Sequence, residues 1–175
     1  VSAMTKSEHE LAKVIVSRPV APLSSEEVNL ESFIESHPPL AKPAATGADD
    51  PGFWLYSSGS TGRPKGTVHS HANPYWTAEL YGKRLLGIAE NDVCFSAAKL
   101  FFAYGLGNGL SFPMSVGATT ILMPERPTPD ATFARWLGKV GDVKPTVFFG
   151  APTGFAGLLA SPKLPAKGDV ALRMA

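Results

Sequence analysis

The chain has 175 residues, enough for a folded unit with a buried core. Its 44% hydrophobic and 18% charged composition excludes an intrinsically disordered chain, and 16 basic against 15 acidic side chains, a net +1, leave no electrostatic footprint for nucleic acid. The single cysteine, Cys94, excludes a disulfide framework or a cysteine-based zinc cluster, while 17 Gly and 16 Pro predict many turns.

The chain opens Val1-Ser-Ala-Met with neither a signal-peptide pattern nor an initiator methionine, and it ends Arg173-Met-Ala175. Both ends read as cuts through a longer, cytoplasmic protein. Residues 12–16 are a β-branched run that predicts a strand, and residues 25–36, with Val28, Leu30, Phe33 and Ile34 on one face, predict a helix. Residues 38–51 form a Pro/Ala/Gly linker. This suggests residues 1–45 as the end of a preceding subdomain with its linker, and 46–175 as a second, partial one. From there strands are expected at 53–56, 66–69, 93–96, 118–123 and 146–149. Helices are expected at 71–86 (capped by Ser70 and stopped by Gly87), 105–116, 132–140 and 153–160. Alternating strands and helices predict an α/β fold, a layered and partly parallel sheet with flanking helices. Residues 100–124 carry no charge over 25 positions, long enough to span a bilayer. Their Gly and Pro punctuation instead predicts short buried elements, so no membrane partner is expected.

The most specific feature is Ser57-Ser-Gly-Ser-Thr-Gly-Arg-Pro-Lys-Gly66. Ser58, Ser60 and Thr61 supply short hydroxyl donors, while Gly59 and Gly62 let backbone amides approach a ligand. Arg63 and Lys65 add cations on either side of Pro64. This is an anion cradle suited to polyphosphate, with a plain polar hairpin as the alternative. It is not a P-loop, because Pro64 stands where the second glycine belongs and Gly66 follows Lys65. His69 and His71 lack a third ligand nearby in sequence, so no metal site is expected. Cys94 reads as a buried small hydrophobe, and Trp76 and Tyr81 as packing residues.

Residues 56–66 resemble the signature loop of the adenylate-forming enzymes, which include acyl- and aryl-CoA synthetases and luciferases. More narrowly, Lys99-Leu-Phe-Phe-Ala-Tyr-Gly-Leu-Gly-Asn108 and Thr146-Val-Phe-Phe-Gly-Ala-Pro-Thr153 look like the benzoate–CoA ligases within that family. The resemblance implies that a parent enzyme activates an aryl carboxylate with MgATP to an acyl-adenylate, and that CoA then displaces AMP. It implies that Ser58, Gly59, Ser60, Thr61, Gly62 and the catalytic cation Lys65 hold the leaving phosphates, with Arg63 facing solvent. Phe102 would stand at the gate of the acyl pocket, with Ala103, Tyr104, Gly105 and Ala151 along its wall. Phe101, Phe102 and Tyr104 also fit plain core aromatics. The family's later motifs, including the magnesium-linked glutamate and the lysine of the C-terminal domain, have no counterpart here. The magnesium ligand is therefore expected outside this chain, and the fragment alone is expected to be inactive. The alternatives are a ligase for a substituted aryl acid and a non-catalytic nucleotide-binding module.

Overall fold

The computed structural model of the chain describes residues 6, 8, 10–57 and 62–175. The chain divides into two compact units, Val1–Ala45 and Thr46–Ala175. In the first, β1 (Val14–Val16) pairs in parallel with β2 (Glu27–Asn29), and α1 (Leu30–Glu35) follows directly. The helix expected from residue 25 therefore starts five positions later. Val28 is taken up by the strand pair opposite Ile15, and Asn29 stops the strand by capping the helix, its side chain accepting from the Ser32 amide at 2.8 Å.

The second unit opens with an antiparallel hairpin, β3 (Pro51–Ser57) and β4 (Lys65–Ser70). Tyr56 lies directly across from Gly66, and its ring covers the bare glycine Cα face. Next comes α2 (Ala72–Thr77), continued by a π-helical stretch, Ala78–Leu85. Ser70 does not cap it: its hydroxyl donates to the Asn73 side chain, and His71 holds the cap position without a side-chain bond. Gly87 ends the run at φ +62°.

The centre of this unit is a parallel sheet in the order β6–β5–β7, with β5 at Val93–Ser96, β6 at Thr119–Ile121 and β7 at Val147–Phe149. Side chains alternate between its two faces, as a strand's period of two requires. Cys94, Val147 and Phe149 point to one face, where they join Ala78, Ile88 and Phe112. Phe95 and Phe148 point to the other and meet Met123, Phe133, Trp136 and Leu158. Each fully buried large apolar side chain contributes about 1.5–3 kcal/mol.

The uncharged segment supplies α3 (Ala103–Leu106), a π-helical turn (Gly107–Ser111), α4 (Phe112–Val116) and β6. Glycine shapes this run. The Phe112 ring lies against Gly82 and Gly107, where an added Cβ would come within 3.1 Å of ring atoms. α5 (Pro129–Trp136) and α6 (Pro152–Leu159) cover the second face, and a short 3₁₀ turn, Lys167–Asp169, precedes the chain end. α5 begins three residues before its expected start, because Thr128 caps it through the Ala131 amide and Pro129 occupies the first turn. Gly138, at φ +69°, closes it before the expected residue 140. Among the described residues no helix is long and apolar enough to cross a membrane.

Candidate functional site

β5 and β7 are neighbours whose onward connections leave in opposite directions. From β5 the chain runs through α3 and α4 to β6 on one side; from β7 it runs through α6 to Met174, which bridges Val147 on the other. Crevices at the carboxyl ends of such strands are where α/β sheets bind ligands. A cavity of about 300 Å³ opens there. Ala97, Ala98 and Lys99 line it after β5, and Gly150, Ala151, Thr153 and Gly154 after β7. The Ala97 amide donates to the Phe149 carbonyl at 3.0 Å, which holds the two strand ends side by side.

Phe102 and Tyr104 from the start of α3, and Phe148 from β7, supply aromatic wall, while the small Ala97, Ala98, Gly150 and Ala151 leave the space between. The Tyr104 hydroxyl donates to the Gly150 carbonyl at 3.1 Å and so ties α3 to the end of β7. Burial, with Tyr81 nearby, raises its pKa above the ordinary phenol value, so it is a protonated donor at neutral pH. Lys99 lines the cavity with its stem, but its ammonium donates to the Met123 and Glu125 carbonyls. The site is thus an apolar, ring-sized recess whose nearest cation is already engaged.

Three of the five expected pocket residues, Phe102, Tyr104 and Ala151, line this cavity. Ala103 is exposed at the first turn of α3 and stands apart from the lining. Gly105 is buried behind the wall, where any Cβ would overlap the Lys99 carbonyl, so glycine is needed for that close approach. Phe101 is 76% exposed and lies outside the lining. Ala97, Ala98, Thr132 and Phe148 line the site without having been assigned to it from sequence. Thr132 is 1% exposed on α5, a burial set by the fold and not marked by its local sequence.

The segment expected to cradle an anion, residues 57–66, joins β3 to β4 in sequence. The last strand pair joins Ser57 to Lys65, which places the lysine at the base of the loop. Ser58, Gly59, Ser60 and Thr61 lie outside the described residues. Gly62 takes φ +75°, a conformation open to glycine at little cost. The His69 ring stacks on Phe53 at 5.0 Å between centroids, and its Nδ1 is 3.0 Å from the Asn73 amide nitrogen, a structural role.

The model of the family described as "AMP-binding enzyme" matches residues 1–174. The chain belongs to the AMP-binding enzyme family. It is 54% identical over 147 residues to the benzoate–CoA ligase of Thauera aromatica, which covers 84% of this chain and 27% of that protein. It is 53% identical over 121 residues, 69% of this chain and 22% of the relative, to the 4-hydroxybenzoate–CoA/benzoate–CoA ligase of Rhodopseudomonas palustris. The crystal structure of a benzoate CoA ligase from Burkholderia xenovorans LB400 superposes with a TM-score of 0.77 at 63% identity, over 92% of this chain and 30% of that one. The chain thus spans about a quarter of the length of the curated relatives it matches.

Within this member of the AMP-binding family, Cys94 is fully buried in the middle strand, and burial pushes its thiol up to about 11. It is a packing residue rather than a nucleophile. Trp76, by contrast, is 53% exposed, and Tyr81 is 44% exposed while one edge meets Phe112 at 5.8 Å between centroids; neither is a core residue of this chain. Both lie on the long helix, whose sequence does not show which of its faces the described residues cover. Among the described residues no group of three or more His, Cys, Asp or Glu side chains stands together to hold a metal ion.

Proposed function

We propose that this chain is the part of an aryl-CoA ligase that carries the acid-binding recess and the phosphate loop, with benzoate as the acid. The recess is the observation that carries this reading: about 300 Å³ at the carboxyl ends of β5 and β7, at the small end of ligand-site volumes and walled by Phe102, Tyr104 and Phe148. Aromatic walls favour a planar ring by edge and face contacts worth about 0.5–1.5 kcal/mol per pair beyond area burial. The benzoate-acting relatives named above support the same acid class.

In this reading the carboxylate oxygen attacks the α-phosphorus of ATP, the bond to the β-phosphate oxygen breaks, and pyrophosphate leaves. The thiolate of CoA then attacks the acyl carbon and AMP departs. The recess holds the ring so that the carboxylate meets the nucleotide in line. Ser58, Gly59, Ser60, Thr61, Gly62 and Lys65 would neutralise the departing phosphates. Magnesium would be held by residues outside this chain, and a cytoplasmic location goes with the use of ATP and CoA. The test is ATP–pyrophosphate exchange by the full-length protein over benzoate, hydroxybenzoates, anthranilate and straight-chain acids. Benzoate is expected to support the fastest exchange. A preference for straight-chain acids would overturn the aryl reading, and a preference for 4-hydroxybenzoate, which the Rhodopseudomonas palustris relative's name includes, would move the assignment to a substituted ring.

A further inference from the structure

The lining of the recess is held in two different ways. The residues that follow β5 and β7 are fixed by the central sheet and by the bond between the Ala97 amide and the Phe149 carbonyl. Pro127 and Thr132 also line the recess, but they come from the stretch after β6 and from α5. Residues 122–128 form neither helix nor strand, and Pro124 and Pro127 have no amide to donate. The Lys99 ammonium pins this strip. It donates to the carbonyls of Glu125 and of Met123, a buried residue whose polar backbone needs a partner within the protein.

A second contact holds the same strip. The Glu125 carboxylate accepts a 2.6 Å bond from Nη1 of Arg135, whose side chain is 4% exposed on α5. That guanidinium also donates to the Ala131 carbonyl at 3.1 Å and lies 6.0 Å from the centroid of the Phe95 ring in β5. The contacts therefore run from the end of β5, through residues 123–125, to α5 and back to β5. Pro127 and Thr132 lie in sequence between Glu125 and Arg135, the two residues tied down. Neither of those two lines the recess, whereas Lys99 does so with its stem.

We infer that Lys99 is a positioning residue for the acid: by holding the Met123 and Glu125 carbonyls, its ammonium sets the spacing between the Pro127–Thr132 strip and the strand ends, and so the orientation of the bound ring. The inference rests on the aryl-acid reading above and adds the group that fixes the shape of that site. A ring held by apolar walls tilts when a wall moves, and its carboxylate then leaves the line of attack on the α-phosphorus. An ammonium suits the task because one head carries several donors, and a charged donor makes the stronger bond to each carbonyl.

The test measures KM for benzoate and for ATP, with kcat, in pyrophosphate exchange by the full-length protein and its Lys99→Met and Lys99→Arg variants. Lys99→Met keeps an unbranched apolar stem and removes the donors. It should lower kcat/KM for benzoate on the order of 10- to 100-fold, carried largely by KM for the acid. KM for ATP should stay within about twofold of the parent's, because in this reading the strip touches the acid alone. Lys99→Arg keeps a charged donor for both carbonyls and should restore most of the loss. Asp92→Asn is the control. Its carboxylate is bonded to Arg173 before the start of β5, so the variant should melt earlier and keep its KM for benzoate. If Lys99→Met fails to fold, Lys99→Gln, shorter and uncharged, supplies the same comparison. A folded Lys99→Met variant that melts earlier but keeps its KM for benzoate would overturn the positioning role and leave the aryl reading standing. So would equal rises in KM for both substrates, or an arginine variant no better than methionine. A parent enzyme that does not adenylate benzoate would remove the aryl reading itself, and the positioning role with it.

Discussion

Lys65 owes its position to strand pairing. It is the first residue of β4, opposite Ser57, so the hairpin register sets it at the base of the loop proposed to hold phosphate. In the proposed ligase reading, a cation held there would act on charge that builds on the departing phosphates, and it would have little to do once pyrophosphate has gone. Lys65→Ala in the full-length protein should therefore slow adenylation by roughly 100-fold, the typical effect of removing one donor to developing negative charge. Thioester formation from preformed benzoyl-AMP should change far less. Stopped-time assays of the two half-reactions check this, and equal loss in both would make Lys65 a framework residue.

At the scale of elements, the close approach of α3 to the loop after β5 depends on Gly105. Its missing Cβ is what lets the helix start lie on the Ala98 and Lys99 carbonyls. Gly105→Ala should cost about 1–3 kcal/mol by overpacking and widen the recess. Thermal unfolding of the full-length protein, with Ala103→Ser at the exposed neighbouring position as the control, reads the difference; equal melting of the two variants would argue against the close contact. The strand cores of the second unit were legible in sequence because β-branched and aromatic runs such as Val93–Ser96 and Val147–Phe149 are short and bounded by turns. Helix starts were less so. Thr128-Pro129 outweighed the apolar spacing that pointed to residue 132, and Asn29 turned what looked like one helix into a strand and a helix. Of the recess, Phe102, Tyr104 and Ala151 could be reached through local motifs. Ala97, Ala98 and Phe148 could not, because they join the site only through the neighbour relation of β5 and β7, and periodicity carries no information about strand order.

At the scale of the whole second unit, a polar clasp joins elements far apart in sequence. Arg173 donates from Nε and Nη2 to both oxygens of the buried Asp92, at 2.8 and 2.6 Å, and also to the Gly87 carbonyl. The Thr146 hydroxyl and the Ala89 amide complete the shell around that carboxylate. The Arg173 guanidinium, followed by these hydrogen bonds, holds the Asp92 carboxyl well below the usual carboxylate range. A depressed folded-state pKa gives stability that is complete above the unfolded value, about 4, and is lost as pH falls below it toward the folded value. Unfolding followed from pH 7 to pH 2 should show this loss below about pH 4, and Asp92→Asn should flatten the slope in that window. An unchanged slope would place the acid sensitivity elsewhere. Arg173→Ala strands a buried carboxylate and should cost about 2 kcal/mol at pH 7, less than the roughly 3–5 of fully buried pairs because Arg173 is partly exposed.

The clasp sits before the first residues of β5 and β7, and the recess lies after their last. Strands of this length separate the two by roughly 10–13 Å. Such a division makes the fold evolvable: substitutions that reshape the recess leave intact the bonds that register the strands at the other end. A lineage can then change what the recess holds through variants that each still fold. The same separation tells a protein engineer where to cut freely, around Phe102, Tyr104 and Ala151, and where to leave the sequence alone.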